Sequence, residues 1–248
     1  MKQLVLSLLC LLAAVSLRAA DDVNIVFIGN SITYGATLPD RATQAPPVHV
    51  GKAIAQQTGR HVEVRNGGVS GATTTDFLPI ADHYWPPVVK AADELSQLKG
   101  QLVFTIMLGT NDSAQDGCFG APVAKEQYYT NLKVIIDELL QRYPKAKVVV
   151  QYPLWYSEST YNATRYMRAG LMRLKSYHPM IDRLLESYAQ QKPRRVFPGL
   201  KETFSYFEGR TDLFTTEQGN AGPFYLHPNP QGAIELANFW AASIVRIL

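Results

Sequence analysis

Cysteine is almost missing from this 248-residue chain, which has only Cys10 and Cys118. That excludes a small scaffold held by several disulfides, so a packed core must carry the stability. Charge is scarce as well: 18% of residues are charged and the formal net charge is +3. No cluster of Lys and Arg stands out, so the basic face that nucleic acid requires is lacking. No internal repeat or low-complexity tract is present, and no apolar run approaches the roughly 20 residues that span a bilayer. What the chain does have is 46% hydrophobic residues, enough for the core of one domain of this length.

The first twenty residues differ in kind from the rest. Lys2 precedes an apolar run from Leu4 to Val15 broken only by Ser7, and Leu17-Arg18-Ala19-Ala20 then leads into Asp21-Asp22. A positive start, a short apolar stretch and small residues before a charged one make a secretory signal peptide, expected over residues 1–20. Cys10 follows Leu9, whereas a lipid-bearing cysteine would follow a small residue. Losing Lys2 and Arg18 lowers the net charge from +3 to +1 and leaves Cys118 with no disulfide partner. The expectation is an exported protein, periplasmic or extracellular, with a single domain over residues 21–248 and no integral membrane span after processing.

From residue 23 onward, short apolar runs alternate with longer amphipathic ones. Strands are expected at Val23 to Ile28, Val62 to Arg65, Leu102 to Leu108, Lys147 to Tyr152 and Arg195 to Phe197. Helices are expected at His49 to Gln57, Lys125 to Tyr143 (with Val134, Ile135, Leu139 and Leu140 on one face), Met180 to Gln190 and Pro230 to Leu248. All-apolar strands separated by helices mean a parallel sheet covered on both faces. Two long connections, Leu154 to Pro179 and Gly199 to Asn229, are rich in aromatics, including Trp155, Tyr156, Tyr166, Phe204, Phe214 and Phe224. Such rings serve either as platforms for sugar stacking or as extra core over the sheet edge.

Four segments carry side chains suited to chemistry, each in a connection expected at the same edge of the sheet. Ligands of open parallel sheets bind beyond the carboxyl ends of the strands. Gly29-Asn30-Ser31 follows the first strand and offers a hydroxyl. Asn66-Gly67-Gly68-Val69-Ser70-Gly71 follows the second, and its bare backbone N–H groups can approach a ligand closely. Gly109-Thr110-Asn111-Asp112 follows the third, and the Asn111 amide is a neutral donor that does not compete for a proton. Leu226-His227-Pro228-Asn229-Pro230 precedes the last helix, with Asn229 as its cap and Pro230 in its first turn.

Taken together, in this order, the four segments resemble the blocks of the SGNH hydrolases, also called the GDSL-type esterase family. The resemblance covers essentially the whole chain after the leader. It implies a flavodoxin-like three-layer α/β/α sandwich with five parallel strands in the order 2-1-3-4-5. It also implies Ser31 as nucleophile, His227 as base, and an oxyanion hole made by the N–H groups of Ser31 and Gly71 and the Asn111 amide. The pattern departs from the family at one place. Family members have Asp three residues before the histidine, and here that residue is Phe224. The backbone carbonyl near Phe224 is the preferred orienting group for His227, giving a Ser-His dyad. Glu217 and Asp212 are the alternatives, with Glu202 and Glu208 in the same connection.

The implied activity is a serine esterase working through an acyl-enzyme, with no cofactor and no metal. The leading expectation is removal of O-acetyl groups from carbohydrate: sialic acid, xylan or another glycan. A short-chain esterase, lysophospholipase or thioesterase is the alternative among enzymes, and a non-catalytic glycan-binding relative is the alternative outside them. The expected partner is an acetylated carbohydrate or other small ester, with no nucleic acid.

Overall fold

A computed structural model describes residues 22–248. The leader expected at residues 1–20, Cys10 included, lies outside the described residues. Among those described, no helix is long and apolar enough to cross a membrane.

The chain runs β1 (Val23–Gly29), α1 (Ser31–Tyr34), α2 (Arg41–Gln44), α3 (Pro46–Thr58), β2 (Val62–Gly68), α4 (Trp85–Ser96), β3 (Gln101–Met107) and α5 (Lys125–Arg142). It continues through β4 (Lys147–Val150), α6 (Met167–Ala189), β5 (Val196–Pro198), α7 (Glu202–Phe207), β6 (Phe214–Gly219), β7 (Gly222–Pro228) and α8 (Pro230–Val245). β1 to β5 form one parallel sheet in the order β2-β1-β3-β4-β5. This is the architecture that the family resemblance implies. β1 lies inside the sheet, between β2 and β3, and is buried over its whole length, because a strand covered by helices on both faces has no polar side to keep. α3 packs with α8 on one face, and α4, α5 and α6 cover the other.

Three expectations need correction. Helix α6 starts at Met167, well before Met180, and runs on through Pro179. A proline removes one backbone hydrogen bond and usually ends a helix. Here Leu174, Tyr177, Ile181 and Leu184 bury one continuous stripe across it, and that burial outweighs the lost bond. Val134 faces solvent, at 43% exposure, so the buried stripe of α5 runs instead through Leu132, Ile135, Ile136 and Leu139. The connection from Gly199 to Asn229 is no irregular loop. It contains α7 and an antiparallel hairpin, β6 and β7, outside the main sheet. Its aromatics are mostly core: Phe204, Phe207, Phe214 and Phe224 are buried, as are Trp155, Tyr156, Tyr166 and Tyr177 of the other long connection. Trp155 and Phe214, whose ring centroids are 5.6 Å apart, tie the two connections together.

Candidate active site

The carboxyl ends of β1, β2 and β3 deliver three of the four sequence blocks to one place. After β1, Asn30 caps α1 by accepting a hydrogen bond from the Ile32 N–H, and Ser31 follows as the first helical residue. Gly29 is required by packing: a Cβ there would lie 2.0 Å from Thr33 Oγ1. The glycine block, which forms the end of β2 and the turn beyond it, binds back on the serine turn. Asn66 Nδ2 donates to the Thr33 carbonyl at 2.9 Å, and the Val69 N–H donates to the Gly29 carbonyl at 3.0 Å. Gly71 turns with φ of 82°, which a glycine adopts without strain. After β3, the Asn111 amide donates to the Ala72 carbonyl at 2.8 Å. Next to it, the buried Asp112 accepts from the Thr74 backbone N–H at 2.9 Å and from the Thr74 hydroxyl. Burial pushes the Asp112 carboxyl up to about 6.

The fourth block comes from β7. His227 Nε2 is 2.9 Å from Ser31 Oγ. On the other side of the ring, Nδ1 is 2.8 Å from Glu217 Oε1. Both side chains are largely sheltered, with 9% and 17% exposed. The group against the ring in the structure is thus the Glu217 carboxylate of β6, one of the alternatives that the sequence offered, and not the preferred Phe224 carbonyl. The hairpin register gives the reason. Glu217 is the cross-strand partner of Phe224, so the acid stands directly across from the residue three before the histidine. Asp212, the other alternative, pairs with Arg210 at the surface.

A bulge completes the arrangement. Thr216 pairs with Tyr225, but Phe214 pairs with Pro228, so β7 carries one more residue than β6 over that stretch. In an unbroken ladder His227 would fall opposite Phe214, on the face away from Glu217, because side chains alternate. The extra residue reverses that alternation and turns His227 to the Glu217 side. The connection before α6 holds the hairpin in place. Ser157 donates its N–H to the Tyr225 carbonyl and accepts from the Tyr225 N–H through its hydroxyl, each at 2.9 Å. The Asn220 N–H donates to the Tyr161 carbonyl at 2.7 Å.

Ser31 and His227 open onto a cleft of about 320 Å³. Gly71 and Asn111 line it, together with Ser70, Asn162, Thr164 and Leu226. The Gly71 N–H has no protein acceptor among the described residues. Tyr166 also lines the cleft, and its phenol donates to Asn111 Oδ1 at 2.6 Å. Sequence reading singled out Tyr166 only as one aromatic among many. Glu217 stood among the alternatives that the sequence offered for orienting His227, without the pairing that selects it.

A hydroxyl, an imidazole and a carboxylate linked in line can withdraw a proton from the hydroxyl as it attacks an electrophile. Such a line of groups at the carboxyl edge of a three-layer α/β sheet is the arrangement that serine-type hydrolases use. The chain belongs to the GDSL-like lipase/acylhydrolase family, whose model matches residues 27–233. No individual curated protein sequence matches it significantly. Among solved structures, it is similar to a lipase/acylhydrolase from Enterococcus faecalis, with 20% identity, a TM-score of 0.61 and coverage of 91% of this chain and 96% of that one. It is likewise similar to a carbohydrate acetylesterase from Sinorhizobium meliloti, with 18% identity, a TM-score of 0.60 and coverage of 92% and 100%. A two-domain esterase active on acetylated mannans gives 17% identity and a TM-score of 0.59, with 92% of this chain covering 50% of that one. At these identities the likeness is one of fold.

Proposed function

We propose that this protein is an exported serine esterase that removes O-acetyl groups from carbohydrate. The observation that carries the reading is the unbroken line Ser31–His227–Glu217, whose serine and histidine line one cleft together with Asn111 and Gly71. Ser31 Oγ attacks the ester carbonyl carbon while His227 Nε2 takes its proton. Glu217, on Nδ1, holds the ring in the tautomer that leaves Nε2 free and stabilises the charge it acquires. The N–H groups of Ser31 and Gly71 and the Asn111 amide bind the oxyanion. The carbon–oxygen bond to the sugar then breaks, and the proton on Nε2 passes to the leaving alcohol. Water, deprotonated by His227, attacks the acetyl-enzyme in the same way and releases acetate.

The size and lining of the cleft support a short acyl group. Its volume lies at the low end of the few hundred to a thousand Å³ typical of ligand sites. Its apolar lining is limited to Ala36, Ala163 and Leu226, with the Tyr166 ring beside them. A long acyl chain would need a longer apolar wall. Ser70, Asn162 and Thr164 supply hydrogen-bonding groups of the kind that sugar hydroxyls use. The fold neighbours that act on acetylated carbohydrate favour the same substrate class. Export rests on the leader at residues 1–20.

The test is hydrolysis of p-nitrophenyl esters of two, four, eight and twelve carbons, followed by acetylated xylan, mannan and sialic acid. The expected result is turnover of acetate and acetylated glycan that Ser31→Ala abolishes. A preference for eight or twelve carbons would move the protein to the lipases and thioesterases. Binding of glycans without Ser31-dependent turnover of any ester would make it a binding protein.

A further inference from the structure

The oxyanion donor proposed above is itself held by a second side chain. Asn111 is buried, and both ends of its amide are engaged within the protein: Nδ2 donates to the Ala72 carbonyl at 2.8 Å, and Oδ1 accepts from the Tyr166 phenol at 2.6 Å. The nitrogen carries two hydrogens and spends one on Ala72, leaving the second for a ligand. Because the amide is planar, fixing its oxygen and one N–H fixes the direction of the other. We infer that Tyr166 is a positioning residue for the oxyanion hole, aiming the free Asn111 N–H into the cleft. The inference rests on the esterase reading.

Tyr166 is placed to be rigid. Its ring is buried and meets Tyr156 edge-on at 5.3 Å. Its backbone N–H donates to the Thr160 carbonyl, and its carbonyl accepts from Gln115 Nε2 at 3.0 Å. Burial holds the phenol well above the usual tyrosine range, so it remains a donor throughout the working pH of an esterase. A donor on the amide oxygen also draws electron density from the nitrogen and strengthens the remaining N–H. Without the phenol, Oδ1 becomes a buried acceptor with no donor, and the amide is held at one end only.

Because Tyr166 also lines the cleft, the test must separate aiming Asn111 from touching substrate. A double-mutant cycle on p-nitrophenyl acetate does so. Tyr166→Phe is expected to lower kcat about tenfold with KM within about twofold. Asn111→Ala is expected to lower it by the 10²–10³ typical of a lost oxyanion donor. The double variant is expected to be no slower than Asn111→Ala alone. An equal tenfold loss in the Asn111→Ala background, a rise in KM alone, or wild-type kcat in Tyr166→Phe would each overturn the inference. A second readout needs no turnover. The Asn111 side-chain amide signals, assigned by their loss in Asn111→Ala, should shift and exchange faster with solvent in Tyr166→Phe, while melting stays cooperative. Unchanged signals refute the inference. If the wild type lacks Ser31-dependent turnover, the esterase reading fails, and the amide signals still decide the placement of Asn111.

Discussion

Replacing Glu217 by alanine tests the least expected part of the site. The carboxylate is 2.8 Å from His227 Nδ1, and only 17% of it is exposed. When His227 accepts the serine proton, a positive charge forms roughly 4 Å from the centre of that carboxylate. At an effective dielectric constant of about 20, such a pair is worth about 4 kcal/mol. Partial exposure and relaxation reduce this, and about 3 to 4 kcal/mol of lost transition-state stabilisation is a fair range. That corresponds to a fall in kcat of roughly 10²–10³. The assay is steady-state turnover of p-nitrophenyl acetate, with thermal melting to confirm that the hairpin still folds. Asp212→Ala is the control: that carboxylate pairs with Arg210 at the surface, and its loss should change turnover less than about twofold. Turnover within threefold of wild type in Glu217→Ala would refute the triad and return the orienting role to a backbone carbonyl.

Two further predictions concern stability. Gly68 and Gly71 belong to the same block but should respond differently to alanine. A Cβ on Gly68 would lie 2.3 Å from the Tyr34 backbone nitrogen, so Gly68→Ala should prevent folding or lower the melting temperature severely. A Cβ on Gly71 meets nothing within 4 Å. Gly71→Ala should therefore cost only the 1–2 kcal/mol of a left-handed residue, a shift of a few degrees, with any larger loss appearing in turnover. Asp112 carries the second. Its carboxyl is pushed from 3.8 up to about 6 by burial. A raised carboxyl favours the folded state most below its unfolded value and loses that contribution as pH rises through about 6. The difference corresponds to at most about 3 kcal/mol. Asp112→Asn should therefore gain on the wild type in melting temperature by several degrees between pH 4.5 and 7.5. A difference that does not change with pH would show that the buried carboxyl does not titrate in this range.

The alternation of all-apolar runs with amphipathic ones determined the layered α/β fold, because a strand covered on both faces has no room for polar residues. Cap and turn residues determined where the loops fall: Asn30 before α1, Asn229-Pro230 before α8, and the glycines that must pass close to neighbouring backbone. Since parallel strands end at one edge, the block order alone was enough to bring Ser31, Gly71 and Asn111 toward one another, whereas His227 arrives on a hairpin outside that sheet. Local sequence could not say which acid reaches His227. Glu217 is ten residues away along the chain, and it arrives through cross-strand pairing with Phe224 and a bulge that reverses the alternation. Nor could it separate the structural aromatics from the one whose hydroxyl reaches Asn111. Helix α6 crosses Pro179 for a similar reason, since the buried stripe on either side outweighs the local preference to stop. Register, long-range burial and the direction of a side chain depend on partners distant in sequence, and only the tertiary structure brings those partners together.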